Sequence, residues 1–215
     1  MKQQQYVIAK EGFPYIVLLA VITALVFIFS PWIAIAPGLL TIFVTYFFRN
    51  PHRVIPQDTS LLVSPADGVV MEVTEIDEDR FIKDKAKRVT IFLSVFNVHL
   101  NRTPIEGRVA YREYRPGRMV PAYKSHAADV NETNYVGIEN DKLKVLVSQI
   151  TGLIARRIVC WVETGEKVKR GDLFGLIKFG SCTEIMVPLN VEILVKKGDK
   201  VKGGETIIGR LSDEL

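Results

Sequence analysis

The chain has 215 residues, 48% of them hydrophobic, a formal net charge of +4 and two cysteines. That composition excludes a disordered chain and a disulfide scaffold, and Cys160 and Cys182 lack the spacing of a metal knuckle. The basic balance is spread without long runs of one sign, so composition alone allows an anionic lipid surface or nucleic acid as partner.

From Phe13 to Phe48 the sequence carries no Lys, Arg, Asp or Glu. A soluble helix is not apolar on every face. A membrane span needs roughly 20 apolar residues, so this stretch suits two short helices, with Ser30-Pro31 and Pro37-Gly38 as breaks. The expectation is a membrane hairpin over residues 13–48, between an N-terminal flank at 1–12 and a linker at 49–60. Lys2 and Lys10 precede the hairpin and Arg49 and Arg53 follow it, which places both ends on the cytoplasmic side of the cell membrane. A signal peptide cut after Ala34-Ile35-Ala36 fits less well, because Pro37 would follow the cut and a second apolar run would remain. A re-entrant hairpin in one leaflet stays open.

Asn50-Pro51-His52-Arg53-Val54-Ile55-Pro56 reads as the exit linker. Residues 61–215 then form a β-rich domain, with strands predicted at Val69-Val70-Met71-Glu72-Val73, Arg88-Val89-Thr90-Ile91-Phe92-Leu93, Lys144-Val145-Leu146-Val147 and Ile158-Val159-Cys160-Trp161-Val162. Ser64-Pro65-Ala66-Asp67-Gly68 is a turn entering a strand, and an Asx turn closed by Asp67 on its own backbone would account for it. Phe92-Leu93-Ser94-Val95-Phe96-Asn97-Val98-His99 is an apolar strand running into a polar turn. A histidine set between Val98 and Leu100 is often only structural. His126, in Tyr123-Lys124-Ser125-His126, is a candidate proton donor or a solvated loop residue.

Near the C-terminus Gly165-Glu166-Lys167-Val168-Lys169-Arg170-Gly171-Asp172 returns as Gly198-Asp199-Lys200-Val201-Lys202-Gly203-Gly204-Glu205. Two glycine-bounded turns follow, similar to turns in the flattened barrels that carry lipoyl or biotinyl groups. The fold class expected is therefore mainly β with some α: a helical membrane hairpin, then a β-rich domain with a lipoyl- or biotinyl-like barrel portion. Between the repeats lies Lys178-Phe179-Gly180-Ser181-Cys182. A Gly-Ser step is usually a plain turn, yet glycine also tolerates the strained backbone that exposes its carbonyl to the serine hydroxyl.

Taken together, the hairpin ending Phe48-Arg49-Asn50-Pro51, then Pro65-Ala66-Asp67-Gly68, Phe92-Leu93-Ser94 through His99 to Thr103-Pro104, and Phe179-Gly180-Ser181 resemble the short-form phosphatidylserine decarboxylases. Asn131-Glu132-Thr133-Asn134 is similar to that family's Asn-Glu-Arg-Asn stretch, with Thr133 in place of arginine. The resemblance implies a proenzyme that cuts itself between Gly180 and Ser181 into residues 1–180 and 181–215. Ser181 becomes a pyruvoyl cofactor, which takes the headgroup amine of phosphatidylserine as a Schiff base and releases carbon dioxide to leave phosphatidylethanolamine. It also implies an Asp67, His99, Ser181 triad in which Asp67 orients the imidazole and His99 takes the serine proton. The implied partners are phosphatidylserine in an anionic membrane and the two chains of the precursor, with no metal and no nucleic acid. A homo-oligomer stays open.

Some relatives carry a second histidine three positions after the first, where this chain has Arg102. Either His99 serves both stages or Arg102 binds the lipid phosphate. Cys182 reads as a size-compatible substitution. Two other classes compete: a membrane-tethered Ser-His-Asp hydrolase, disfavoured by the lack of a Gly-x-Ser-x-Gly elbow, and a non-enzymatic carrier or adaptor of the lipoyl kind.

Overall fold

The computed structural model describes residues 6–117, 130–152, 157–178 and 181–212. It divides into two units, Met1–His52 and Arg53–Leu215. The first is built from α1 (Phe13–Phe29) and α2 (Pro31–Phe47), each with a proline in its first turn, where the missing N–H costs nothing. Ser30, extended at φ −157° and ψ 110°, ends one helix and begins the next. Pro37, by contrast, sits inside α2 without ending it. Its ring removes one backbone hydrogen bond, and the helix continues with the Thr41 hydroxyl donating to the Pro37 carbonyl at 2.8 Å.

No residue of α1 is buried. The stretch Lys10–Phe29, with mean hydropathy 2.5, is long and apolar enough to cross a membrane. The 17 residues of α2 rise only about 26 Å, short of the roughly 30 Å of bilayer hydrocarbon.

The second unit is mainly β, and its strands run β1 (Leu61–Val63), β2 (Gly68–Glu78), β3 (Asp84–Leu93), β4 (Leu100–Arg102), β5 (Gly107–Arg115), β6 (Thr133–Glu139), β7 (Lys144–Thr151), β8 (Arg157–Cys160), β9 (Lys167–Val168), β10 (Leu173–Lys178), β11 (Ser181–Pro188), β12 (Val191–Ile193), β13 (Lys200–Val201) and β14 (Ile207–Leu211). The strands form a curled eight-stranded sheet in the order β13-β2-β3-β11-β7-β6-β5-β9 and two three-stranded sheets, β1-β14-β12 and β4-β10-β8. All pairings within the sheets are antiparallel.

This order is the same read from either end once β1–β3 and β11–β14 are exchanged for β4–β10. The domain is two copies of one motif related by a pseudo-twofold axis through the Val147–Ile185 pair at the centre of the large sheet. Register confirms it in detail. The bulge in β2 falls after Val70 and that in β5 after Val109. Gly68 and Gly107 hold equivalent places, and a Cβ on them would lie 2.2 Å and 2.3 Å from the carbonyl oxygens of Phe92 and Glu139 respectively. The two predicted glycine turns are equivalent as well, with φ of 94° and 81° at Gly165 and Gly171 and 95° and 80° at Gly198 and Gly204. They do not belong to a C-terminal barrel of their own, because β9 and β13 pair with opposite ends of the large sheet.

Alternation along the central strands buries Val89, Ile91, Val145, Val147, Ile185 and Val187 in one main core, joined by Leu62 and Ile208. The other face buries Ala86, Tyr135, Leu146 and Met186 under Phe81. Half two is continuous in sequence, whereas half one is split around it. The chain therefore passes between halves twice, from β3 to β4 and from β10 to β11.

Candidate active site

Both crossovers lead to one place. Leu93, the last residue of β3, pairs with Ser181, the first of β11, and Ser181 pairs on its other side with Thr151. The predicted cleavage point is thus set beside the strand end that leads to His99. Gly180 and His126 lie outside the described residues, and only the backbone of Ser181 is described.

After Leu93 the chain turns through Ser94-Val95-Phe96-Asn97, where the Asn97 side-chain oxygen accepts from the Ser94 N–H and hydroxyl, both at 2.9 Å. It re-enters the protein at His99, which is fully buried and whose carbonyl accepts from the Ile177 N–H at 3.1 Å. His99 Nδ1 lies 3.0 Å from the Asn97 carbonyl. A carbonyl only accepts, so in the neutral ring Nδ1 carries the proton and Nε2 keeps the lone pair of a general base.

The orienting contact thus comes from a backbone carbonyl, and the expected Asp67–imidazole bond is not among the described contacts. Asp67 instead takes two bonds from Arg53 Nη2, at 2.9 and 2.8 Å, and one from the Gly203 N–H at 2.8 Å. These side chains are 7% exposed for Arg53 and 13% for Asp67, so the pair is shielded and strong in geometry. Nor does Asp67 close an Asx turn on its own backbone, because its oxygens are engaged by the second glycine turn and by Arg53. Arg53, expected as a charge flanking the membrane segment, is a buried partner of Asp67 and Glu205.

Arg102 is also enclosed. It donates to the Gly171 carbonyl at 2.9 Å, and a Cβ on Gly204 would come within 2.9 Å of its Cδ. Burial, with the nearby Arg53 charge, lowers its pKa to about 10, against the pull of Asp67 and Asp172. It stays cationic at neutral pH, but a guanidinium so held is not displayed to a lipid phosphate. Cys182 is buried, and burial followed by the Glu184 charge pushes its thiol well up, which makes it inert.

A chain of fully buried amides and a hydroxyl escaped the sequence reading. Asn101 Nδ2 donates to Thr183 Oγ1 at 3.0 Å and to the Pro65 carbonyl at 3.4 Å. Gln149 Nε2 donates to Asn101 Oδ1 at 2.9 Å, and Asn134 Nδ2 to Gln149 Oε1 at 2.8 Å. Gly175 leaves the room for it, since a Cβ there would sit 2.6 Å from Gln149 Nε2. Asn134 closes the Asn131-Glu132-Thr133-Asn134 stretch, and Asn131 Nδ2 donates to the carbonyl of Thr151, the backbone partner of Ser181. The signal that could have exposed the network is a second internal repeat, Ser64-Pro65-Ala66-Asp67-Gly68-Val69-Val70 against Thr103-Pro104-Ile105-Glu106-Gly107-Arg108-Val109.

A cut at 180–181 would not dismantle the fold. Of the strands beyond it, β11 is tied to β3 and β7, β13 to β2 and β14 to β1 in the larger piece, and β12 is held through β14. The head of β11 would accordingly stay paired with Leu93 and Thr151. Among the described residues no group of three His, Cys, Asp or Glu side chains could hold a metal ion.

The family model for phosphatidylserine decarboxylase matches residues 40–209. The phosphatidylserine decarboxylase proenzyme of Carboxydothermus hydrogenoformans is 52% identical over 210 residues, spanning 97% of this chain and 99% of its own. That of Symbiobacterium thermophilum is 49% identical over 95% of this chain and 96% of its own, and that of Syntrophus aciditrophicus 43% identical over 97% and 99%. With a family match across the β domain and relatives of this identity over nearly the whole length, the chain belongs to the phosphatidylserine decarboxylase family.

Proposed function

We propose that this chain is a proenzyme that cleaves itself at Gly180-Ser181 and then converts phosphatidylserine to phosphatidylethanolamine and carbon dioxide. The observation that carries this reading is the position of Ser181, at a crossover between halves and paired with the strand end that leads to His99. His99 Nε2 takes the Ser181 hydroxyl proton. The serine oxygen attacks the Gly180 carbonyl, the amide C–N bond breaks, and an ester forms with the Ser181 amine freed. Loss of the Ser181 α-proton expels the Gly180 carboxylate and leaves dehydroalanine. One water then replaces its nitrogen, one ammonia departs, and the pyruvoyl group remains at the head of β11.

That ketone supplies the electron sink for loss of carbon dioxide from the amine-bearing carbon of the headgroup. His99, with Nδ1 fixed on Asn97, is suited to return a proton from Nε2. Asp67 acts at one remove: with Arg53 and Gly203 it fixes the turn whose Pro65 carbonyl receives Asn101. The likeness of the two glycine turns to those of lipoyl carriers is a likeness of turns, which here serve to hold Asp67 and Arg102.

The apolar helices α1 and α2 tether the protein to the cell membrane, with the catalytic unit on the cytoplasmic side by the flanking charges. Phosphatidylserine is then met in the same bilayer. On a denaturing gel the purified protein is expected as two pieces, and Ser181→Ala as one inactive chain. An active protein that runs as a single uncut chain would overturn the reading.

A further inference from the structure

We propose that Asn101, Gln149 and Thr183 form a positioning clamp that sets His99 against Ser181 for self-cleavage, an inference that rests on the function proposed above. His99 immediately precedes β4 in a three-stranded sheet, and Ser181 opens β11 in the eight-stranded sheet. No backbone ladder joins those two strands. Asn101 lies two residues after His99 and Thr183 two residues after Ser181, and the 3.0 Å bond between their side chains ties strand to strand. Gln149 holds the Asn101 oxygen, and the Pro65 carbonyl ties the same amide to the turn that Asp67 and Arg53 fix.

The fold contains its own control. By pairing register, Asn101 opposite Gly175 corresponds to Leu62 opposite Gly209. Thr183 opposite Ile91 corresponds to Val145 opposite Ile138, and Gln149, two residues beyond Val147, corresponds to Val187, two beyond Ile185. Leu62, Val145 and Val187 are all members of the apolar core. The same architecture is therefore built with aliphatic side chains in the symmetry-related cluster, which lies away from the catalytic pair. Folding does not call for amides and a hydroxyl here, since a buried network exchanged for apolar groups of like shape is near neutral for stability. What hydrogen bonds add is direction, fixing distance and angle where apolar contact allows slippage.

The test transplants the aliphatic cluster onto the polar one. Asn101→Leu, Gln149→Val and Thr183→Val together are expected to fold, with a thermal midpoint within about 4 °C of the unmodified chain. Self-cleavage, followed on a denaturing gel after cell-free synthesis, is expected to slow on the order of 100-fold, the scale of a 1 Å misplacement. A folded triple variant that cuts at the unmodified rate overturns the clamp. Should the triple variant not fold, the single pair Thr183→Val and Thr183→Ser decides. Slow cutting in the valine variant with recovery to within about threefold in the serine variant supports the clamp, because serine keeps the hydroxyl. Equal rates in both, whether fast or slow, overturn it. An unmodified chain that never cuts would defeat the proposed function instead, so the two failures are distinct.

Discussion

The two halves of the β domain share strand order, bulges, glycine turns and core, yet only one junction between them carries a buried polar cluster beside the candidate residues His99 and Ser181. Where the pseudo-twofold places Leu62, Val145 and Val187 in one cluster, the equivalent cluster holds Asn101, Thr183 and Gln149, each cluster drawing on strands of both halves. Where one turn has Asp67 locked to Arg53, its counterpart has Glu106, exposed to solvent. The difference teaches which residues the fold needs and which the reaction needs. Features present in both halves are architectural, and features present in one are candidates for function.

The sharpest way to break that comparison is to treat the twin carboxylates alike. Asp67→Asn takes from a buried guanidinium its closer carboxylate and leaves only Glu205 at 3.4 Å, for an expected loss of about 3 kcal/mol in chemical unfolding and a strong slowing of self-cleavage. Glu106→Gln should change stability by less than about 0.5 kcal/mol and leave cleavage untouched. Equal effects would show that the asymmetry has no functional content.

A second exchange runs the other way. Leu62→Asn plants an amide in the apolar cluster, where its counterpart's partners are absent, and an expected cost of about 3 kcal/mol follows from lost burial and an unsatisfied polar group. Urea unfolding of the Ser181→Ala precursor measures it without interference from cleavage. A third pair should behave identically on stability: Gly68→Ala and Gly107→Ala both drive a methyl into a strand carbonyl. Each is expected to cost about 1–3 kcal/mol, with cleavage impaired only by the substitution beside Asp67.

The smallest effect concerns pH. Glu184 occupies the position equivalent to Leu146, and burial raises its pKa above 4.5 against the opposing charge of Arg88. A raised carboxylate binds its proton more tightly folded than unfolded. Its stabilising contribution is therefore complete below pH 4.5 and declines as pH rises through the folded value. Thermal midpoints of Glu184→Gln should lack that decline, and matching pH profiles for the two proteins would contradict the assignment.

Much of this was legible in the sequence. The uncharged run from Phe13 to Phe48 gave two helices with the break at Ser30, and the glycine-bounded repeats gave the turns at Gly165 and Gly198. Local signals of this kind need only neighbours in the chain. Pro37 misled because a single proline removes one hydrogen bond and need not end a helix whose other bonds remain. Asp67, His99 and Ser181 were found as motifs, but their contacts were not. The partner of Asp67 is Arg53, hidden in a segment that reads as linker, and the group orienting His99 is a backbone carbonyl with no sequence signature. Asn101, Gln149 and Thr183 lie on three strands far apart in sequence, and each taken alone is an ordinary polar residue in an apolar run. Only the pairing register reveals that they touch and that their counterparts are aliphatic.

The mass of the C-terminal fragment tests the central claim most directly. Self-cleavage with conversion of Ser181 yields a piece running from Ser181 to Leu215, with a blocked N-terminus and one ammonia lighter than the same peptide beginning with serine. An intact chain in active protein, or a fragment that begins with an unmodified serine, would contradict it.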